Sequence, residues 1–232
     1  NGYKQEGFGL MDTTIFDGKR QSTSVTYLHP IKQRQNLTLI TNIQVSKIII
    51  ENSSAIGVEI KNKNKLEKIF AEKEVLLSAG AINSPQILML SGVGPEEELK
   101  NHGINVISAL NGVGENLQDH LETYVQYECT KPVTLYSSFN PINMALIGMQ
   151  WFLFKKGIAA HSNLEIGGFI RTNEMVDYPN MQYHFFPSLV IDHGRQNPSC
   201  HAFQAHVGPM RPTSRGFVKL KSSNPNDLPR IQ

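Results

Sequence analysis

The stretch Val75-Leu76-Leu77-Ser78-Ala79-Gly80-Ala81-Ile82-Asn83-Ser84-Pro85-Gln86 sets the tightest limit on the fold. Three apolar residues run straight into a turn made only of small ones, and a helix-compatible segment comes next. Side chains this small let another group come close to the backbone. A helix N-terminus beyond such a turn offers free N–H groups to a polar or anionic ligand. A tight turn packed only against protein fits the same residues equally well. The pattern predicts a strand over 71–77. It also predicts a helix capped by Asn83 or Ser84, with Pro85 in its first turn and Gly92 at its end.

The flanking segments show what this unit is built into. Residues 1–36 are rich in Gly, Gln, Ser and Thr and read as extended or loop structure. Val45 to Ile50 is a β-branched strand, Asn52-Ser53-Ser54 turns it, and Ile56 to Ile60 returns. Lys61, Lys63, Lys65 and Lys68 read as a solvated hairpin tip. Pro95, Glu96-Glu97-Glu98, Lys100, His102 and Gly103 punctuate a second helix whose charges complement its dipole at both ends. Asn140-Pro141 opens a third helix, apolar nearly all round, that ends at Lys155-Lys156-Gly157. Core burial is the default for such a helix. Docking on a membrane surface, helped by the two lysines, is the functional alternative. Strand candidates then recur at 120–128, 165–171, 181–186, 202–207 and 216–221 with no helices among the last four, which predicts an antiparallel sheet. The fold class is α+β.

Composition removes several functions. With 40% hydrophobic and only 18% charged residues the 232-residue chain can bury a core and is not disordered by composition. A net charge of +2, from 22 Lys and Arg against 20 Asp and Glu, lacks the basic footprint of a nucleic-acid binder. Cys129 and Cys200 are too few for a disulfide framework or a cysteine metal cluster, and the eight histidines show no metal-ligand spacing with acids. No GxGxxG or Walker sequence occurs, and the chain opens on Asn1 in mid-flow. It is therefore expected to be an internal piece of a longer protein.

Two blocks make the chain identifiable at family level. Ser78-Ala79-Gly80-Ala81-Ile82-Asn83-Ser84-Pro85-Gln86, continuing to Gly94, resembles the second signature of the glucose–methanol–choline (GMC) family of flavin oxidoreductases. Gly112-Val113-Gly114-Glu115-Asn116-Leu117-Gln118-Asp119-His120 is similar to a further block of that family, in the expected order and separation. Leu121-Glu122, Gly167 to Arg171, Val190 to Arg195 and His206 to Arg211 look like the choline-oxidising, mitochondrial branch. The resemblance implies bound FAD and oxidation of choline to betaine aldehyde by hydride transfer. It implies part of a Rossmann-like FAD-binding domain over 1–119 and part of an antiparallel substrate-binding domain over 120–232. The family's glycine-rich fingerprint would lie before Asn1 and its catalytic histidine after Gln232. A mitochondrial location, with inner-membrane association and peripheral membrane contact, is the matching expectation. The electron acceptor is not assigned.

Residue by residue, Val45 matches the position whose main chain meets the adenine of FAD, and Ala79 and Gly80 match the turn near the cofactor. Glu122 matches the glutamate that contacts the trimethylammonium group in the choline-oxidising members. A quaternary ammonium has no N–H, so recognition must come from a carboxylate's field and from aromatic faces. Strand alternation would put His120, Glu122 and Tyr124 on one face. Tyr183 or His184 is expected to line the substrate side, with the register between them open. Asn163-Leu164 departs from the aromatics that choline oxidases carry for the cation cage, which Tyr124 or Phe169 would have to replace. Two rivals stand beside this reading. One is an oxidoreductase for another alcohol; the other is a non-catalytic interaction module.

Overall fold

The computed structural model describes residues 3–62, 65–164 and 166–232, so Lys63 and Glu165 lie outside the described residues. In chain order it opens with strands β1 (Gly7–Leu10), β2 (Ile15–Phe16) and β3 (Lys19–Arg20). Next come β4 (Gln44–Glu51), β5 (Ser54–Asn62) and β6 (Lys65–Phe70), then α1 (Gly80–Leu90), β7 (Val93–Gly94), α2 (Glu96–Asn101), β8 (Ser108–Ala109) and β9 (Glu115–Leu117). The remainder holds β10 (Thr123–Glu128), α3 (Pro141–Phe154), β11 (Ile166–Ile170), β12 (Met181–Phe186), β13 (Ala202–Pro209), β14 (Gly216–Lys219) and β15 (Arg230–Ile231). These elements fall into two compact units, neither continuous in sequence: 1–37 with 120–212, and 38–119 with 213–232. The chain passes from one unit to the other at 37/38, 119/120 and 212/213. The ends of the chain depart from the expected division, because β1 pairs with β11 and β14 pairs with β9.

In the unit formed by 38–119 and 213–232, β4, β5 and β6 make an antiparallel meander with β4 and β6 at its edges. Asn52 and Ser53, at φ 50° and 62°, form its first turn. Helix α1 is tied to β4 by the Ser91 hydroxyl. That group accepts from the Ile48 amide at 2.8 Å and donates to the Ile87 carbonyl at 2.6 Å. The core is Met89, Leu99 and Leu220, all with no exposed surface. Burying each such side chain contributes roughly 1.5–3 kcal/mol. Helix α2 carries its three glutamates in the first turn and Lys100 in the last, as the sequence predicts, and Glu98 also accepts from the Leu220 amide at 2.9 Å.

Two expectations fail here. Residues 71–77 form no strand. Pairing of the meander ends where the Ala71 amide donates to Ile56, and no described strand of this unit runs alongside residues 72–77, leaving Leu76 79% exposed. A strand needs a neighbour to satisfy its main chain. Helix α1 also starts earlier than the cap residues suggest, at Gly80, which places Pro85 inside it. Ser84 does not cap from outside. Its hydroxyl, one turn into the helix, accepts from the Ala79 amide at 3.1 Å.

The unit formed by 1–37 and 120–212 holds a five-stranded, wholly antiparallel sheet in the order β1-β11-β12-β13-β10. Its strand sequences alternate, and the register sorts the two faces. Tyr183, Phe185, Phe203 and Tyr127 share one face with Phe8. Ring pairs lie at 5.4 Å (Phe8–Tyr183), 5.2 Å (Phe185–Phe203) and 5.9 Å (Tyr127–Phe203). Gln182, His184, Gln204, His206, Tyr124 and Gln126 share the other.

Helix α3 corrects a further expectation. It is capped by the Asn140 side chain, which accepts from the Ile142 amide at 2.9 Å, and is anchored by Trp151, whose indole N–H donates to the Gly18 carbonyl at 2.7 Å. No residue of it is buried, and Phe152 is 72% exposed. The described residues of its unit cover only the Trp151 side. Lys155 ends the helix at φ 54°, with its ammonium folded back 3.9 Å above the Trp151 ring. No helix among the described residues is long and apolar enough to cross a membrane.

Two outcomes test this construction. Leu99→Ala should destabilise its unit by about 3 kcal/mol, read from denaturant titration, because it empties a fully buried site. The Arg171 guanidinium donates to Glu6 at 3.1 Å and holds that carboxyl below its usual range, clasping edge strand β1. A depressed carboxyl stabilises above its unfolded value and loses that stabilisation as pH falls through its folded one. Hydrogen-exchange protection of β1 amides should therefore drop on acidification ahead of that of β12 and β13.

Candidate functional site

Glu122 stands immediately before β10 rather than within it. The Leu121–Glu122 backbone crosses over Gly208 of β13. A Cβ built on that glycine would lie 2.5 Å from the Leu121 carbonyl oxygen, so no other residue leaves the path open. The crossing delivers the Glu122 carboxylate to the polar face of the sheet, between the two histidines that the β12–β13 register sets opposite each other. Its Oε2 lies 3.1 Å from His206 Nδ1 and its Oε1 3.8 Å from His184 Nδ1. The carboxylate side chain remains 48% exposed, whereas His206 is only 16% exposed.

Each imidazole is held from behind. Gln182 Nε2 lies 2.9 Å from His184 Nε2, and Gln204 Nε2 meets His206 Nε2. Gln204, fully buried, has its amide oxygen fixed by the Val190 amide at 2.9 Å and by Gln126 Nε2 at 3.0 Å. Tyr124 lays its ring against His206 with centroids 5.4 Å apart. Glu122, His184, Gln182 and His120 line a cavity of about 180 Å³ together with Gly208 and Pro209. That is below the roughly 300–1,000 Å³ of pockets for drug-sized ligands and suits a small headgroup.

The structure therefore brings Glu122, His184 and His120 together and settles the open register between 183 and 184. Tyr183 points to the opposite face, against Phe8. Phe169 stands opposite Gln182 and so shares the Glu122 face, with two strands between it and Tyr124. His206 is not among the site residues that the sequence singles out. A signal existed: Gln182-x-His184 and Gln204-x-His206 repeat one alternating pattern, and two such strands paired in register place both histidines on one face. Among the described residues no group of three or more His, Cys, Asp or Glu side chains could hold a metal.

The residues matched to a cofactor lie in the other unit. Val45 is half-buried on β4, at the edge of the meander and next to a bulge at Ser46, where the register shifts. An edge strand keeps one row of main-chain groups turned away from its partner, and Ser91 takes only the one at Ile48. Gly80 adopts φ +84° with open space where a side chain would stand, directly at the first turn of α1. Main-chain groups at a strand edge and an uncluttered helix start are the donor set that a dinucleotide uses.

A family model described as GMC oxidoreductase matches residues 1–122. Mitochondrial choline dehydrogenase of Homo sapiens is 51% identical over 232 residues, covering all of this chain and 39% of that protein. Oxygen-dependent choline dehydrogenase of Brucella ovis is 48% identical over the same 232 residues and 42% of its length. The chain thus spans about two fifths of the curated relatives it matches. In fold it is similar to formate oxidase of Aspergillus oryzae, with a TM-score of 0.89 at 23% identity over 98% of this chain and 44% of that one. A family match over more than half of its residues shows that this chain belongs to the GMC oxidoreductase family.

Proposed function

We propose that this chain is part of an FAD-dependent oxidoreductase that converts choline to betaine aldehyde, with Glu122 holding the substrate's cationic headgroup. The observation that carries the reading is the placement of one half-exposed carboxylate at a small cavity, held at 3.1 Å by His206, whose ring in turn packs against Tyr124. A trimethylammonium group offers no hydrogen bond, so only field and ring faces can hold it. A unit charge 4 Å from a carboxylate gains about 4 kcal/mol at the effective dielectric of a protein surface. A neutral alcohol would draw nothing from that charge. The high identity to choline dehydrogenases of Homo sapiens and Brucella ovis supports the same substrate. A mitochondrial location belongs to this reading through the mammalian relatives, which are named as mitochondrial.

When bound, FAD supplies the two-electron acceptor that no side chain provides. Toward it, Val45 would offer main-chain groups at the edge of β4, while Ala79 and Gly80 would keep the start of α1 clear. The substrate-side residues bind and orient: Glu122 attracts the cation, and His206 holds the carboxylate in place.

The deciding experiment is to purify the full-length protein, record its bound-flavin spectrum and measure reduction by choline. Glu122→Gln should raise the KM for choline at least tenfold, about 1.4 kcal/mol, and leave kcat within a few-fold. An unchanged KM would remove Glu122 from the site. Gly208→Ala should raise the same KM, because its methyl group must displace the backbone that carries Glu122. Equal KM values for Gly208→Ala and the parent would show that the crossing does not set the carboxylate's position.

A further inference from the structure

The hydrogen-bond chain behind Glu122 contains one donor whose identity is beyond doubt, the main-chain amide of Val190. It donates to Gln204 Oε1 at 2.9 Å, and Gln126 Nε2 approaches the same oxygen at 3.0 Å. This fixes the orientation of the Gln204 amide: its oxygen faces the donors, so its NH2 faces His206 Nε2. A ring nitrogen that receives an N–H must present its lone pair, so the proton of His206 sits on Nδ1. Nδ1 lies 3.1 Å from Glu122 Oε2 and donates to it. Each step leaves only one arrangement in which no donor meets a donor.

From this we infer that His206 is a positioning residue for the cation site. Gln204 sets its tautomer, and His206 then holds Glu122 as a hydrogen-bonded carboxylate whose charge is left for the ligand. An imidazolium would do the opposite, because its second N–H would face the Gln204 NH2 and its positive charge would cancel that of Glu122. His206 is 16% exposed and Gln204 fully buried, so the bond between them is sheltered from water. His184 lies too far from the carboxylate, at 3.8 Å, to do the same through a direct hydrogen bond. The inference rests on the reading of Glu122 as the cation anchor, and it adds a group that does not touch the substrate.

The test uses the flavin-loaded full-length enzyme with two substrates, choline and its neutral isostere 3,3-dimethylbutanol. His206→Leu should raise KM for choline about tenfold while KM for the isostere stays within about twofold. His206→Asn, which keeps an N–H near the Nδ1 position, should recover most of the loss. If both substrates lose affinity together, or if neither does, His206 is merely structural and the inference falls. A readout independent of turnover is the ¹⁵N spectrum of histidine-labelled enzyme, with the His206 signals assigned by their absence in His206→Asn. The Nδ1–H tautomer is expected, and an Nε2–H tautomer would overturn the relay. Glu122→Gln separates the two readings. If it leaves the preference for choline over the isostere intact, the cation anchor fails whatever the tautomer. If it abolishes the preference while His206→Leu does not, the anchor stands and the relay fails.

Discussion

His184 stands opposite His206 because β12 and β13 pair antiparallel in a single register, and everything on that face depends on the pairing. The side-chain period of a strand is two, so a slip of one residue in β12 would turn Tyr183 and Phe185 toward Glu122 and carry His184 to the opposite face, away from His206. The slip is opposed from both sides. On one face the rings of Phe185, Phe203 and Tyr127 stack across three adjacent strands, and aromatic pairs of this kind add about 0.5–1.5 kcal/mol each beyond their buried area. On the other, the Glu122 carboxylate lies 3.1 Å from His206 of β13 and 3.8 Å from His184 of β12, an arrangement that a slip would break. The apolar face makes the register stable and the polar face makes it useful.

The second unit is governed by a different constraint, the need to give every buried main-chain group a partner. The meander satisfies its own ladder, and the Ser91 hydroxyl bonds the Ile48 amide, joining helix to strand at a point where neither could close the bond alone. Where such pairing stops, regular structure stops. Beyond Ala71 no described strand accepts the chain, and residues 72–79 continue without a ladder.

Much of this was readable from the residues. The β4–β5 hairpin, the bounds of β12, the glutamate-led α2 and the antiparallel character of the last third all arise from local periodicity and turn chemistry, which act within a few positions of each residue, whereas the third strand of the meander falls at Lys65–Phe70 and not at 71–77. The failures share one cause, dependence on partners distant in sequence. Whether 71–77 is a strand is decided by a neighbour, and whether α3 is buried by what lies on it. The join of 1–37 to 120–212 rests on β1 meeting β11, some 160 residues away. At the candidate site, Glu122 could be singled out by resemblance and by the chemistry of a quaternary ammonium. His206 could be found only by aligning two strands and noticing that Gln-x-His occurs in both.

The same carboxylate serves the protein and the proposed ligand without conflict because the two make different demands on it. An ionised carboxylate has about four lone-pair positions. His206 takes one on Oε2, and His184, at 3.8 Å from Oε1, contributes no hydrogen bond. A quaternary ammonium asks for none of them, since its attraction falls off with distance and does not depend on a shared proton. Partial exposure is the compromise between two losses. Full burial of a charge held by uncharged partners would cost several kcal/mol, and full exposure would let water and salt screen the attraction to the ligand. A carboxylate half out of water, with its back fixed by a neutral donor, keeps both its ionisation and its reach.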